Sequence, residues 1–354
     1  MTTLRVLLAL AIAALLAGCA SEPKVMQLDG ASADTDRVWP APQTQEVPRY
    51  RYLGQLVGER NFRSADTGQS TARTLFAWVA GLVDAVDAQV VLQRPQTGVV
   101  DAAGRVLVTD VSRNAVFVFD EKAGRLDVWD QASKTVRFKA PIGIALGRNA
   151  ELLVADAELG RVFRLAPDGT PLGDFGAGLL LRPTGLARDA ARGRVFVADT
   201  HAHDIKVFDD DGRLIARWGT RGDGRGELNY PTHLSFSDGM LIVSDSLNAR
   251  VQGFDSDGVA TLRFGERGLY VGNLVRPKGV AADDEGNVYV VESMHDTLLV
   301  FDRQGRLLMS LGGTGQDAGR FYLPAGVWID DRNRVFVADM FNGRVAVFQF
   351  LGGS

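Results

Sequence analysis

From residue 95 onward, short apolar runs alternate with polar turns, and the alternation is itself periodic. Each unit starts with a proline ahead of a brief apolar run: Pro95 before Gly98-Val99-Val100, Pro141 before Gly143-Ile144-Ala145, Pro183 before Gly185-Leu186-Ala187. Pro231, Pro277 and Pro324 continue the series. After a polar turn comes a second apolar run that ends in an acid, such as Val195-Phe196-Val197-Ala198-Asp199. The six acids are Asp110, Asp156, Asp199, Asp245, Glu292 and Asp339, spaced 46, 43, 46, 47 and 47 residues apart. A third run follows a short loop, as in Ile205-Lys206-Val207-Phe208. An Asp-Gly pair then often marks a hairpin turn (Asp168-Gly169, Asp211-Gly212, Asp257-Gly258). A fourth run ends in a large apolar residue and glycine: Phe175-Gly176, Trp218-Gly219, Phe264-Gly265, Leu311-Gly312.

Four short antiparallel strands per unit of about 40–50 residues predict a propeller blade, and six units predict a closed all-β ring. The sixth unit stops after its third strand, Val345 to Phe350, which would leave an exposed edge. Residues 50–58 supply the missing strand, because Arg51-Tyr52-Leu53-Gly54-Gln55-Leu56-Val57-Gly58 reads like Arg306-Leu307-Leu308-Met309-Ser310-Leu311-Gly312-Gly313. The expectation is therefore a six-bladed β-propeller over 50–354, with repeats at 95–350 and an N-terminal strand closing the last blade. Between the closing strand and the first full unit, Leu75, Val79, Leu82, Val83, Val86 and Val90 recur at helical spacing. They predict a short amphipathic helix over about 70–92, packed on the ring; the stretch has no lysine cluster that would favour a membrane surface.

Several elements resemble NHL repeats: Arg182-Pro183-Thr184-Gly185-Leu186-Ala187, the Val-Phe-Val-Ala-Asp of 195–199 and 335–339, and Asn248-Ala249-Arg250-Val251. The glycine-rich link Gly222-Asp223-Gly224-Arg225-Gly226 ahead of Tyr230-Pro231 resembles them too. The resemblance implies a four-stranded-blade propeller. It is shared by recognition scaffolds and by metal-dependent peptidyl-hydroxyglycine lyases, while gluconolactonase-like hydrolases have the same six-bladed architecture. Fold alone does not choose among them.

The N-terminus carries an address. Arg5 precedes an uncharged run of 13 residues, Val6 to Gly18, shorter than the ~20 apolar residues a spanning helix needs. The run closes Leu16-Ala17-Gly18-Cys19, which resembles the lipobox of bacterial lipoproteins, and Cys19 is the only cysteine in the chain. The resemblance implies a signal peptide at 1–18 and a lipid on the Cys19 thiol. Ala20 follows where an aspartate would imply inner-membrane retention, so the bacterial outer membrane is the expected site. Residues 19–49, with Pro23, Pro40, Pro42 and Pro48 and no apolar periodicity, are expected to be an extended tether.

Composition adds exclusions. At 354 residues, 46% hydrophobic and 23% charged, the chain is too apolar for a disordered protein. A formal charge of −4 and a pI near 5.7 give no sequence-wide basic footprint for nucleic acid. A single cysteine excludes an intrachain disulfide or a cysteine-based zinc cluster. Walker, Gly-x-Ser-x-Gly and His-Glu-x-x-His motifs are missing.

Strand alternation puts the six acids and all four histidines on one face of the ring. His201 and His203 follow Asp199, His295 follows Glu292, and His233 stands where four other units have glycine two residues after the proline. A carboxylate recurring in every unit belongs to the repeat and is expected to accept backbone N–H bonds, which assigns Asp110, Asp156, Asp199, Asp245 and Asp339 to structure. Glu292, one methylene longer, would reach the channel and form a ligand or divalent-metal site at its mouth with His233 and His295, flanked by His201 and His203. The lyase family places its metal-binding histidines directly after the first-strand proline. Here those positions hold Gln96, Ile142, Thr184, Thr232, Lys278 and Ala325, so no catalytic residue carries over. Asp209-x-Asp211-Gly212 and Asp255-x-Asp257-Gly258 read as hairpin turns rather than calcium loops, since the downstream ligands are missing. Arg113, Arg161, Arg250 and Arg344, with Lys278 at the start of a first strand, could favour an anionic ligand on the same face, but ordinary pairing with neighbouring acids is the preferred reading. The leading expectation is a non-catalytic scaffold, without a cofactor, that binds a protein or glycan in the envelope. The alternative is a metal-dependent lyase or hydrolase of the propeller type.

Overall fold

A computed structural model of the chain describes residues 24–30, 37–64 and 89–352. The signal peptide expected at 1–18, the lipidated Cys19 and residues 70–88 of the expected helix lie outside these. Residues 89–92, at the end of that helical expectation, are extended: Glu59 N–H donates to the Val90 carbonyl at 2.9 Å and Leu92 N–H to that of Val57 at 2.8 Å.

Six antiparallel sheets surround a central channel. Blade 1 runs Pro95–Val100, Val106–Asp110, Ala115–Asp120 and Arg125–Trp129 from the inside outward, and blades 2 to 5 repeat the order. Their innermost strands are Pro141–Leu146, Pro183–Asp189, Pro231–Ser237 and Pro277–Ala282, and that of blade 6 is Val327–Ile329. These six strands contact one another in sequence around the ring.

The sixth blade closes as its unpaired edge requires. Tyr50–Leu56 pairs antiparallel with Arg344–Phe350, with Val345 opposite Leu56 and Phe350 opposite Tyr50. Val38–Trp39 then adds a fifth strand outside it. Part of the expected tether is therefore docked. Asp29 bridges Gln55 on the outer edge of the last blade, which still offers backbone groups to pair, and Lys24–Met26 forms a separate two-stranded sheet with Phe62–Ser64.

Burial follows position in the blade. Both faces of a middle strand are covered by neighbouring blades, so Val106–Asp110 is buried at all five residues. An outer strand alternates instead, as in Leu214–Trp218, where Ile215 points out and Trp218 in. The core is six apolar clusters, each between adjacent blades. One joins Ala187, Phe196 and Val207 of blade 3 to Leu234, Val243 and Phe254 of blade 4.

Inner strands approach closely at the start of the channel. A Cβ on Gly143 would lie 2.1 Å from the Thr184 carbonyl oxygen, so only glycine fits. Hydroxyl groups stitch the same level across blades: Thr109 Oγ1 donates to the Ile142 carbonyl at 2.7 Å and Ser246 Oγ to that of Pro277 at 2.6 Å. First and third strands start on one face, here called upper, and second and fourth strands end there.

Candidate functional site

The upper face is built from the loops after second strands and the links that lead into first strands. The recurring acids hold these two pieces together. Asp110 accepts N–H bonds from Gln93 and Arg94 (2.7 and 2.9 Å) through one oxygen, and from Ser112 and Arg113 (2.9 and 3.0 Å) through the other. Asp156 does the same with Lys139, Ala140, Glu158 and Leu159. In later blades a cation joins: Lys206 Nζ lies 2.7 Å from Asp199, Arg250 2.7 Å from Asp245, and Arg344 2.8 Å from Asp339. Burial still holds the Asp245 and Asp339 carboxyls above the usual carboxylate range, against the lowering effect of their bonds.

Glu292 keeps the same post. Its carboxylate takes the N–H groups of Val275 (2.8 Å), Arg276 (3.0 Å) and Met294 (3.0 Å), and the residue has no exposed surface. It does not enter the channel: the extra methylene lies within the loop, and both oxygens are taken by backbone donors. The expected trio of His233, Glu292 and His295 is not brought together. Among the described residues no three His, Cys, Asp or Glu side chains stand close enough to share a metal ion.

The histidines separate. His201 is exposed and edge-on to Tyr230, with ring centroids 5.8 Å apart. His203 is buried, packs against Tyr230 at 4.7 Å, and accepts the Tyr230 N–H at Nδ1, 3.3 Å away. Burial, reinforced by Arg221, lowers its pKa. His295 sits half-buried on the loop after Glu292.

His233 alone reaches the channel. It lines a cavity of about 330 Å³ bounded by first-strand residues of all six blades. The lining runs from His233 toward the strand ends at Leu146, Arg188 and Ile329, so the cavity occupies the lower part of the channel. The imidazole is 8% exposed, and neither ring nitrogen has a hydrogen-bond partner among the described residues. Burial first, then the Lys278 charge, push its pKa down to about 3. It is a neutral donor and acceptor at ordinary pH.

The arginines are spent on structure, and Arg161, Arg250 and Arg344 pair with acids as expected. Arg250 donates to the carbonyls of Asp223, Gly224 and Glu227, and Arg344 to those of Asp317 and Arg320. Arg113 donates to the Val91 carbonyl and Arg161 pairs with Asp174 at 3.3 Å. The unspent cations are others. Arg94 and Arg276 precede the first-strand prolines of blades 1 and 5 and are exposed, and half-buried Lys278 follows the second of these prolines. Burial, then Arg276 and Arg94, lower the Lys278 pKa to about 8. The Asp-Gly sites are turns: Asp209 takes the N–H groups of Asp211 and Arg213, and Asp255 those of Asp257 and Val259.

Exposed apolar side chains stand in two places, on loops at the mouth and lower down on the outer flank of blade 5, where Gly272, next to the tip of the link, lies against Leu307 at the start of the fourth strand. Phe341 and Met294 are on loops after second strands, Leu181 is on the link into blade 3, and Leu269, Tyr270 and Val271 form the tip of the link into blade 5. Those last three are 87%, 85% and 76% exposed. The tip is held by Tyr270 N–H on Asn273 Oδ1 at 3.0 Å and Asn273 N–H on the Tyr270 carbonyl at 2.9 Å. Sequence reading passed over it, although the signal was there: the preceding link has Asp223-Gly224-Arg225 in its turn where this one has Leu-Tyr-Val.

Residues 273–354 match a family described as 6-bladed β-propeller, and residues 180–208 match the NHL repeat. The chain is a six-bladed β-propeller with an NHL repeat. The RING finger protein nhl-1 of Caenorhabditis elegans is 48% identical over 98 residues, 28% of this chain but only 10% of that protein. Virginiamycin B lyase from Staphylococcus aureus superposes with a TM-score of 0.54 at 13% identity, covering 73% of this chain and 96% of the lyase. A chain of a nidogen/laminin complex does so with a TM-score of 0.51 at 18% identity, covering 71% and 89%. At these identities the structural likeness is of fold, and it spans an enzyme and a protein from a complex.

Proposed function

We propose that this propeller is a non-catalytic, lipid-anchored scaffold of the bacterial envelope that holds a protein partner against its upper face and the adjoining outer flank of blade 5. The observation that carries the reading is the Leu269–Val271 tip. Three consecutive large apolar side chains stand in water on a loop whose own hydrogen bonds fix it, and exposed apolar surface of this kind marks an interaction site. Leu181, Met294 and Phe341 extend it with the aliphatic and thioether groups a protein surface matches better than a sugar. The repeat acids are occupied by the fold, which leaves them no part in general acid or base chemistry.

The anchor supports the same arrangement. The Leu16-Ala17-Gly18-Cys19 sequence favours lipid on Cys19 and an outer-membrane location. The strand Lys24–Met26 lies against Gly124, in the turn between the third and fourth strands of blade 1, on the lower face. Four residues separate it from Cys19, a reach of at most about 18 Å. An anchored propeller then turns its lower side to the bilayer and its upper face to the partner.

A photo-crosslinking residue at Tyr270 tests this in the native envelope, with one at Ile215, on an outer strand, as control. A discrete protein adduct is expected from position 270 and not from 215, and it disappears in Leu269→Ser/Val271→Ser. Those exposed changes leave stability within about 0.5 kcal/mol. The same adducts from both positions, or none from either, would overturn the scaffold reading.

A further inference from the structure

Lys278 is placed where a single ammonium is influenced by groups across the ring. It lies in blade 5, yet its charge acts on His233 in blade 4 and is opposed by Arg94 in blade 1. It follows Pro277 at the start of the innermost strand of blade 5, which begins at the upper end of the channel. It has no hydrogen bond or ion pair to any described residue, and the charges bearing on it are cations, Arg276 and Arg94. Arg94 is stacked 5.5 Å over the exposed Phe341 ring, which holds its guanidinium at this rim without a carboxylate. Beneath lies the unpartnered imidazole of His233, nine-tenths buried and facing the cavity. In a chain of net charge −4, a half-buried cation flanked by two more and by no acid is an uncompensated cost.

We propose that the upper mouth of the channel binds a carboxylate of an acidic peptide segment of the partner, with Lys278 as the direct contact and Arg94 and Arg276 beside it. The proposal rests on the scaffold reading and narrows it. A carboxylate satisfies the ammonium by a charge-assisted hydrogen bond, and the apolar rim of Phe341 and Met294 takes the flanking side chains. A polyuronate offers the same charge without groups for that rim, which is why the peptide is preferred.

Titration calorimetry with the soluble domain tests it, using tetraglutamate, tetraglutamine, glutarate and polygalacturonate as probes. Tetraglutamate is expected to bind, weakening as salt rises, and tetraglutamine is not. Lys278→Gln is expected to reduce affinity by about tenfold or more, Lys278→Arg to keep most of it, and Arg161→Gln to change nothing. Lys278→Met serves if the glutamine variant melts early. No binding of tetraglutamate at about 10 mM, or binding undiminished in both Lys278→Gln and Lys278→Met, overturns the proposal. Binding of polygalacturonate alone overturns it in favour of a glycan, and glutarate binding as tightly as the peptide overturns the peptide assignment in favour of a small dicarboxylate. The Tyr270 adduct separates the two levels. If it forms normally while tetraglutamate fails, the scaffold stands and the carboxylate site falls.

Discussion

Lowering the pH from 7.5 to 5.0 should destabilise the propeller through one side chain, His233. Its imidazole has a pKa of about 3 in the fold, against 6.5 as the ordinary value, because it is buried without a hydrogen-bond partner and faces the Lys278 charge. The unfolded chain therefore binds this proton more tightly than the folded one. The penalty is absent above pH 6.5, grows by about 1.4 kcal/mol per unit as pH falls below it, and levels off near 3. Between pH 7.5 and 5.0 that amounts to about 2 kcal/mol. The assay is urea unfolding at both pH values for the wild type and His233→Gln, in buffers free of carboxylates, which the channel mouth would take up. Glutamine cannot titrate, so the wild type should lose about 2 kcal/mol more than the variant over that interval. Lys278, with its pKa near 8, is about three-quarters protonated at pH 7.5 and adds only about 0.2 kcal/mol over the interval, in both proteins. His203, also lowered by burial, contributes equally to both proteins. Parallel pH dependences for the two proteins would refute the reasoning, since they would mean that water or another group reaches the imidazole.

Two further outcomes follow from the frame. Asp199→Ala should cost about 3–5 kcal/mol in chemical denaturation, because it strands the Leu181 and Arg182 N–H groups and removes the closest partner of the buried Lys206 ammonium. Gly143→Ala should cost about 1–3 kcal/mol in the same assay, because its methyl group would meet the Thr184 carbonyl of the next blade, and backbone must move.

The frame was legible for a simple reason. A blade buries both faces of its middle strands, so these read as unbroken apolar runs, and repetition at 43 to 47 residues separates them from chance. The closing strand was legible because Tyr50–Leu56 has the composition of a fourth strand and the sixth unit lacks one. What failed was reach. Side-chain length suggested that Glu292 extends into the channel, but the loop geometry decides where a carboxylate points, and its atoms went to Val275, Arg276 and Met294. The arginines pair with neighbouring acids as expected, Arg161 with Asp174, Arg250 with Asp245 and Arg344 with Asp339, but how deeply they are buried was not legible. Whether Arg250 is a surface charge or a buried clamp depends on carbonyls in the link preceding its blade, and no local pattern encodes that meeting. The tether departed from expectation because proline content says nothing about whether a neighbouring sheet edge is free to pair with Val38–Trp39.

The departures from the repeat carry the functional argument. At each position where most blades agree, the shared residue answers a need of the ring: glycine for close approach, an acid for the loop, proline for the strand start. A blade that breaks the pattern without a structural return needs another reason. His233 occupies the near-empty glycine position and gains no hydrogen bond. Lys278 follows a proline where Gln96 and Thr184 hydrogen-bond to their surroundings, and it gains only repulsion. Leu269, Tyr270 and Val271 replace a polar turn and gain exposure. Scattered drift would place such losses anywhere on the ring. All of them fall within blades 4 and 5 and the link between them, the one side of the ring on which a single partner would rest.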